Sequence, residues 1–118
     1  MVDEVDILLV IPDRRLRAYT LAEALEQGYE VIAVPRARHA QVLLRTGVTP
    51  RLLVIDLVGV GGEDDATRDL LARPPEGLLT LVGALERADV AHLPPERVML
   101  RPFTVGQLVA RIRQLLSA

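Results

Sequence analysis

Hydrophobic and polar positions alternate along this chain on the scale of whole elements. Five short apolar runs, Val5 to Ile11, Glu30 to Val34, Leu52 to Ile55, Leu78 to Val82 and Val98 to Leu100, are separated by segments of mixed polarity. Each run is apolar at successive positions rather than at every second one, as a strand must be when helices cover both faces of a parallel sheet. Between the first two runs, Ala18, Leu21, Ala22 and Leu25 recur at i, i+3, i+4 and i+7. That spacing predicts a helix capped by Asp13, buried through those four residues and ended by Gly28. A second helix over Arg38 to Thr46 would turn Ala40, Leu43 and Leu44 inward, with Gly47 and Pro50 marking the return to the third strand. The acidic group Glu63, Asp64 and Asp65 suits the start of a third helix, where carboxylates favour the dipole. The last helix has the most sustained pattern: Thr104 and Gln107 are spaced as a capping box ahead of Val105, Leu108, Val109, Ile112, Leu115 and Leu116.

The fourth helical segment is different. Only Ala84 to His92 precedes Leu93-Pro94-Pro95, and consecutive prolines lack N–H donors and force the preceding residue out of helical geometry. One or two turns are expected there, followed by a loop. The alternation of strand and helix predicts an α/β fold, a doubly wound five-stranded parallel sheet with helices on both faces, flavodoxin-like order 2-1-3-4-5, and the fourth helix shortened. With 118 residues and no linker or low-complexity tract, one domain over 1–118 is expected.

Composition narrows the function. No uncharged stretch approaches the roughly 20 residues that span a bilayer, so no membrane association is expected. Met1 to Asp6 carries three acids and no basic region, unlike a signal or transit peptide, and the expected location is the cytoplasm. Cysteine is absent, which excludes disulfides, thiolate metal sites and a cysteine nucleophile. A net charge of -2 gives no general attraction to nucleic acid, so no direct nucleic-acid partner is expected. The two imidazoles, His39 and His92, have no ligands nearby at metal spacing and read as surface residues. All 14 basic residues are arginine, leaving no lysine for a Schiff base or a phosphate loop. Ser117 is the single serine, which excludes a serine triad. Gly59, Gly61 and Gly62 form an incomplete phosphate-loop pattern that follows the third strand rather than the first. Tyr19, Tyr29 and Phe103 are the only aromatic residues and offer little to sandwich a planar cofactor, so a flavin- or nucleotide-binding domain is the weakest of the readings.

In an open parallel sheet the residues that matter follow the strands: Ile11, Pro12 and Asp13; Asp56; Gly83 and Ala84; Arg101, Pro102 and Phe103. Asp56 closes the run Leu52-Leu53-Val54-Ile55 and precedes a glycine-rich loop. A carboxylate so placed is a nucleophile, a metal ligand or half of an ion pair, and the last is the default for a rim carboxylate.

Taken in order, Ile7-Leu8-Leu9-Val10, Pro50-Arg51-Leu52-Leu53-Val54-Ile55-Asp56, Leu78-Leu79-Thr80-Leu81-Val82-Gly83-Ala84 and Leu100-Arg101-Pro102-Phe103 resemble the receiver-domain family of bacterial response regulators (CheY-like) over nearly the whole chain. The resemblance implies that Asp56 holds the phosphoacceptor position, which a histidine kinase phosphorylates in that family. It also implies departures. The family's pair of magnesium-binding acids falls on Ile11 and Pro12, whose side chains cannot ligate a metal; Asp13 lies one position on and reads first as a helix cap. The family's switch hydroxyl falls on Gly83. Its lysine falls on Arg101, which is longer, planar and bidentate. Arg101 is therefore expected to pair with Asp56, with a cis bond to Pro102.

Phosphoryl transfer to a carboxylate brings like charges together and depends on the cation, so a degenerate pocket is expected to phosphorylate slowly or not at all. The leading expectation is a pseudo-receiver without enzymatic activity, metal or cofactor, acting in signal transduction through a protein partner such as a histidine kinase or a downstream regulator. Its partner face would lie from the fourth helix onward, around Arg97, Arg111 and Arg113, and pairing into a homodimer through the last helices fits the same resemblance. The alternative is a phosphoacceptor in a two-component phosphorelay, using Asp56 with Asp13 and magnesium.

Overall fold

The computed structural model describes residues 3–59, 64–74 and 77–117; Gly61, Gly62 and Glu63 lie outside them. The elements run β1 (Asp3–Val10), α1 (Arg14–Glu26), β2 (Val31–Val34), α2 (Ala37–Arg45), β3 (Val48–Asp56), α3 (Asp65–Ala72), β4 (Leu78–Val82), 3₁₀ turns at Ala84–Val90 and Pro95–Arg97, β5 (Val98–Leu100) and α4 (Val105–Ser117). All strand pairs are parallel and the sheet order is β2-β1-β3-β4-β5. This is the doubly wound, flavodoxin-like arrangement that the apolar runs predict.

The two sides of the sheet divide the strand residues by parity. Ile7, Leu9, Leu52, Val54, Leu79 and Leu81 face α1 and α4, where Ala24, Leu108 and Ile112 complete one buried cluster. Leu8, Val10, Leu53, Ile55, Leu78 and Val82 face α2 and α3, with Ala37, Ala40 and Leu70. Successive strand side chains point to opposite faces, so runs buried on both sides are continuous rather than alternating.

Local chemistry sets most boundaries. Asp64 accepts from the Ala66 and Thr67 amides at the start of α3. Thr104 and Gln107 exchange reciprocal bonds at the start of α4, a completed capping box. Gly28 ends α1 at φ 89, a left-handed conformation that only glycine adopts without a Cβ clash. Gly77 is required by proximity, since a Cβ there would stand 2.2 Å from the Arg51 carbonyl oxygen. The segment before Pro94 and Pro95 forms no α-helix and winds instead as 3₁₀ turns.

Two expectations are corrected. The third strand begins at Val48, so Pro50 lies inside it; Pro50 pairs with Val5 at a level where β4 has not yet begun, and its missing N–H leaves no ladder bond unmade on that side. Of Ala18, Leu21, Ala22 and Leu25, the buried face of α1 keeps only Leu21, which packs against the core. Thr20 and Ala24 are fully buried with Leu16 packed beside them, Leu21 is half-buried, and Ala18, Ala22 and Leu25 face outward. In the first turn the Arg17 guanidinium donates to the Ile11 and Pro12 carbonyls, which ties that flank of the helix to the end of β1, and in this orientation Thr20 and Ala24 meet the sheet.

Candidate functional site

Strand order reverses between β1 and β3, and the carboxyl ends of these strands open a crevice. Asp56 is the last residue of β3 and sits in that crevice, 1% exposed. Both its carboxylate oxygens are engaged. Oδ1 accepts from the Val58 amide at 3.0 Å, and Oδ2 accepts from Arg101 Nη2 at 2.5 Å. Arg101 follows β5, where its backbone N–H donates to the Val82 carbonyl at 2.9 Å; its side chain must therefore pass over β4 to reach β3.

The contact is one-legged. Nη1 of Arg101 is buried and has no acceptor among the described residues, while the guanidinium carbon lies 5.2 Å from the centre of the Phe103 ring, within the range of a cation–π contact. The pair is thus held by a charge-assisted hydrogen bond and by packing, without the bidentate fork that arginine can form. The Arg101-Pro102 peptide bond is cis.

The residues after β1 form no acidic cradle. Ile11 is fully buried, and its carbonyl and that of Pro12 accept from Arg17 Nη1 at 2.9 and 3.2 Å. Asp13 is exposed and its Oδ1 accepts from the Leu16 amide at 2.8 Å, the bond of a helix N-cap. Magnesium takes oxygen ligands in near-octahedral geometry. Here one carboxylate is bonded to a guanidinium, a second is turned to a helix end, and the intervening carbonyls already accept from another cation. Among the described residues this donor set does not fit that ion. Among the described residues no cluster of three or more His, Asp or Glu side chains is poised for a metal.

Gly83 follows β4, and its amide donates to Glu86 Oε1 at 3.0 Å, so the carboxylate of Glu86 stands where a hydroxyl-bearing side chain would project. Arg17 is the functional-edge residue that sequence reasoning missed. Its position on the first turn, in a run of three arginines interrupted by Leu16, is compatible with an exposed charge, and nothing in the pattern marks it as a clamp on strand-end carbonyls.

A small cavity of about 70 Å³ adjoins Asp56, bordered by Pro12, Arg36, Ala37, Asp64 and Thr67. It is far below the several hundred Å³ of a cofactor site. A larger groove of about 750 Å³ runs between α3 and the Ala84–Val90 turn, bordered by Leu57, Leu71, Leu85, Asp89 and His92, and no aromatic side chain lines it. His39 and His92 are exposed. Of the three arginines on the expected partner face, Arg97 donates to the Leu78 carbonyl and Arg111 to the carbonyls of Glu96 and Val98, each at 3.4 Å, whereas Arg113 is exposed. Among the described residues no helix is long and apolar enough to cross a membrane.

The fold and the crevice define a doubly wound α/β protein with, among the described residues, a single buried carboxylate at its switch point. No protein-family model and no curated protein matches the sequence. Solved structures do. A response regulator receiver protein from Sinorhizobium medicae superposes with a TM-score of 0.73 at 25% identity, over 99% of this chain and 96% of that one. A response regulator from Thermotoga maritima gives 0.68 at 21% identity over 100% of both chains. An adenylate cyclase from Rhodopirellula baltica gives 0.74 at 20% identity, over 99% of this chain and 89% of that one. The chain has the fold of the response-regulator receiver domains.

Proposed function

We propose that this chain is a receiver-like signalling module whose phosphorylation pocket is closed from within and which acts by binding a protein, without metal-dependent phosphorylation and without enzymatic activity. The observation that carries the reading is the Asp56–Arg101 pair: the carboxylate at the phosphoacceptor position is buried, and each of its oxygens already accepts a hydrogen bond. Attack on a phosphodonor would require one of those bonds to break and would place new negative charge where, among the described residues, no acidic cluster stands ready to hold a divalent cation. The response regulators among the solved structures support a role in signal transduction; a cytoplasmic location and a histidine kinase or downstream regulator as partner belong to the same proposal.

The competing reading, a phosphoacceptor in a phosphorelay, is favoured by the small cavity beside Asp56. Magnesium separates the two. On adding magnesium at millimolar concentration, the amide resonances of Asp56, Leu57 and Val58 should stay in place; a saturable shift of those resonances would favour the phosphorelay.

A further inference from the structure

The outward face of α1 is apolar. Ala18, Ala22 and Leu25 lie on it at helical spacing with Tyr19 alongside, Tyr19 being 62% exposed and Leu25 51%. Exposed Arg14 and Arg15 stand at its beginning and exposed Glu26 at its end. Beyond its N-cap Asp13, the helix has no acid in its first turn and no base in its last, so Arg14, Arg15 and Glu26 each stand at the end of the helix that the dipole disfavours. The N-cap carboxylate of Asp13 offsets part of the charge at the first end, but among the described residues the ion pairs are Asp6–Arg51, Asp65–Arg68 and Asp56–Arg101, none of which involves α1.

A stripe that is basic at one end and acidic at the other is complementary to itself when reversed. We infer that α1 is a homodimer surface on which the α1 of a second copy packs antiparallel, about a two-fold axis between Ala18 and Ala22. Arg15 and Glu26 lie on one flank of the exposed face at 3.6 residues per turn, about 16 Å apart along the axis. They are too distant to pair within one helix, and an antiparallel copy brings each beside the other's counterpart. The same patch then serves both subunits, as a two-fold interface requires. Ala18 and Ala22 allow the backbones to approach, and Tyr19 and Leu25 cover the crossing from both sides. A parallel arrangement would set arginine against arginine, so the charges select the direction as well as the partner. One 13-residue helix from each copy is at the low end of interface size, and the dimer dissociates on dilution. The inference does not depend on the reading of the Asp56 pocket.

Sedimentation equilibrium of the full chain at concentrations up to about 1 mM tests it. The wild type should show a monomer–dimer equilibrium that weakens as salt screens the end charges. Arg15→Glu and Glu26→Arg should each raise the dissociation constant about tenfold or more with far-ultraviolet circular dichroism unchanged, because both positions are exposed. Mixed in equal amounts, the two variants should regain the dimer, since each charge again meets its opposite. A wild type that stays monomeric throughout overturns the inference. So does a dimer that both substitutions leave intact, or one that responds instead to Leu100→Asp on β5 or Arg113→Glu on α4.

Discussion

Arg101 places Nη2 2.5 Å from Oδ2 of Asp56 while its other terminal nitrogen is buried without an acceptor among the described residues. The carboxylate is almost wholly buried and the guanidinium about a third exposed, so the pair is unequal: Asp56 depends on Arg101 for compensation more than the reverse. A buried charge that loses its partner keeps its desolvation cost.

Arg101→Met should therefore destabilise the fold by about 3 kcal/mol, read as a fall in the urea midpoint with little change in slope. Asp56→Asn in the same background should recover part of the loss, because it removes the uncompensated charge. Equal stability of Arg101→Met and the wild type would mean that Asp56 is solvated by other means.

Asp13 is a helix cap in this structure, and its removal should cost what a cap costs. Asp13→Ala should lower stability by about 1 kcal/mol, and Asp13→Asn by much less, since the amide oxygen still accepts from the Leu16 amide. Thermal denaturation of the two variants checks the difference. A loss equal in both would assign the effect to charge rather than to capping.

Thr20 is fully buried and its hydroxyl has no hydrogen-bond partner. Thr20→Val keeps the branched shape and removes the unsatisfied group, so stability should rise by about 1 kcal/mol in chemical denaturation. A decrease would show that the hydroxyl is satisfied in solution.

Residues such as Thr20 explain how far the sequence is legible. Sheet order and strand positions follow from continuous apolar runs, because burial on both faces leaves no alternative for Ile7 to Val10 or Leu52 to Ile55. The break in the fourth helix is visible in Pro94 and Pro95, whose chemistry acts locally. The face of α1 is not legible, because its apolar residues outnumber the buried positions: ranking by hydrophobicity chooses Leu25 over Thr20, whereas the observed orientation buries Thr20 and sets Arg17 against the Ile11 and Pro12 carbonyls. Such a contact depends on where a strand end and a helix start meet in space. Alignment with receivers brings Asp56 and Arg101 to facing strand ends, but the one-legged geometry, the stacking on Phe103 and the engagement of both Asp56 oxygens need coordinates. The arginines after β4 show the same limit, since a basic residue in sequence can as well brace a carbonyl, as Arg97 and Arg111 do, as face a partner.

The most direct test of the closed pocket is intact mass after incubation with magnesium and a small acyl phosphate donor, under conditions in which a functional receiver is phosphorylated. The wild type should keep its unmodified mass. A phosphoryl increment that appears in the wild type and disappears in Asp56→Ala would contradict the account.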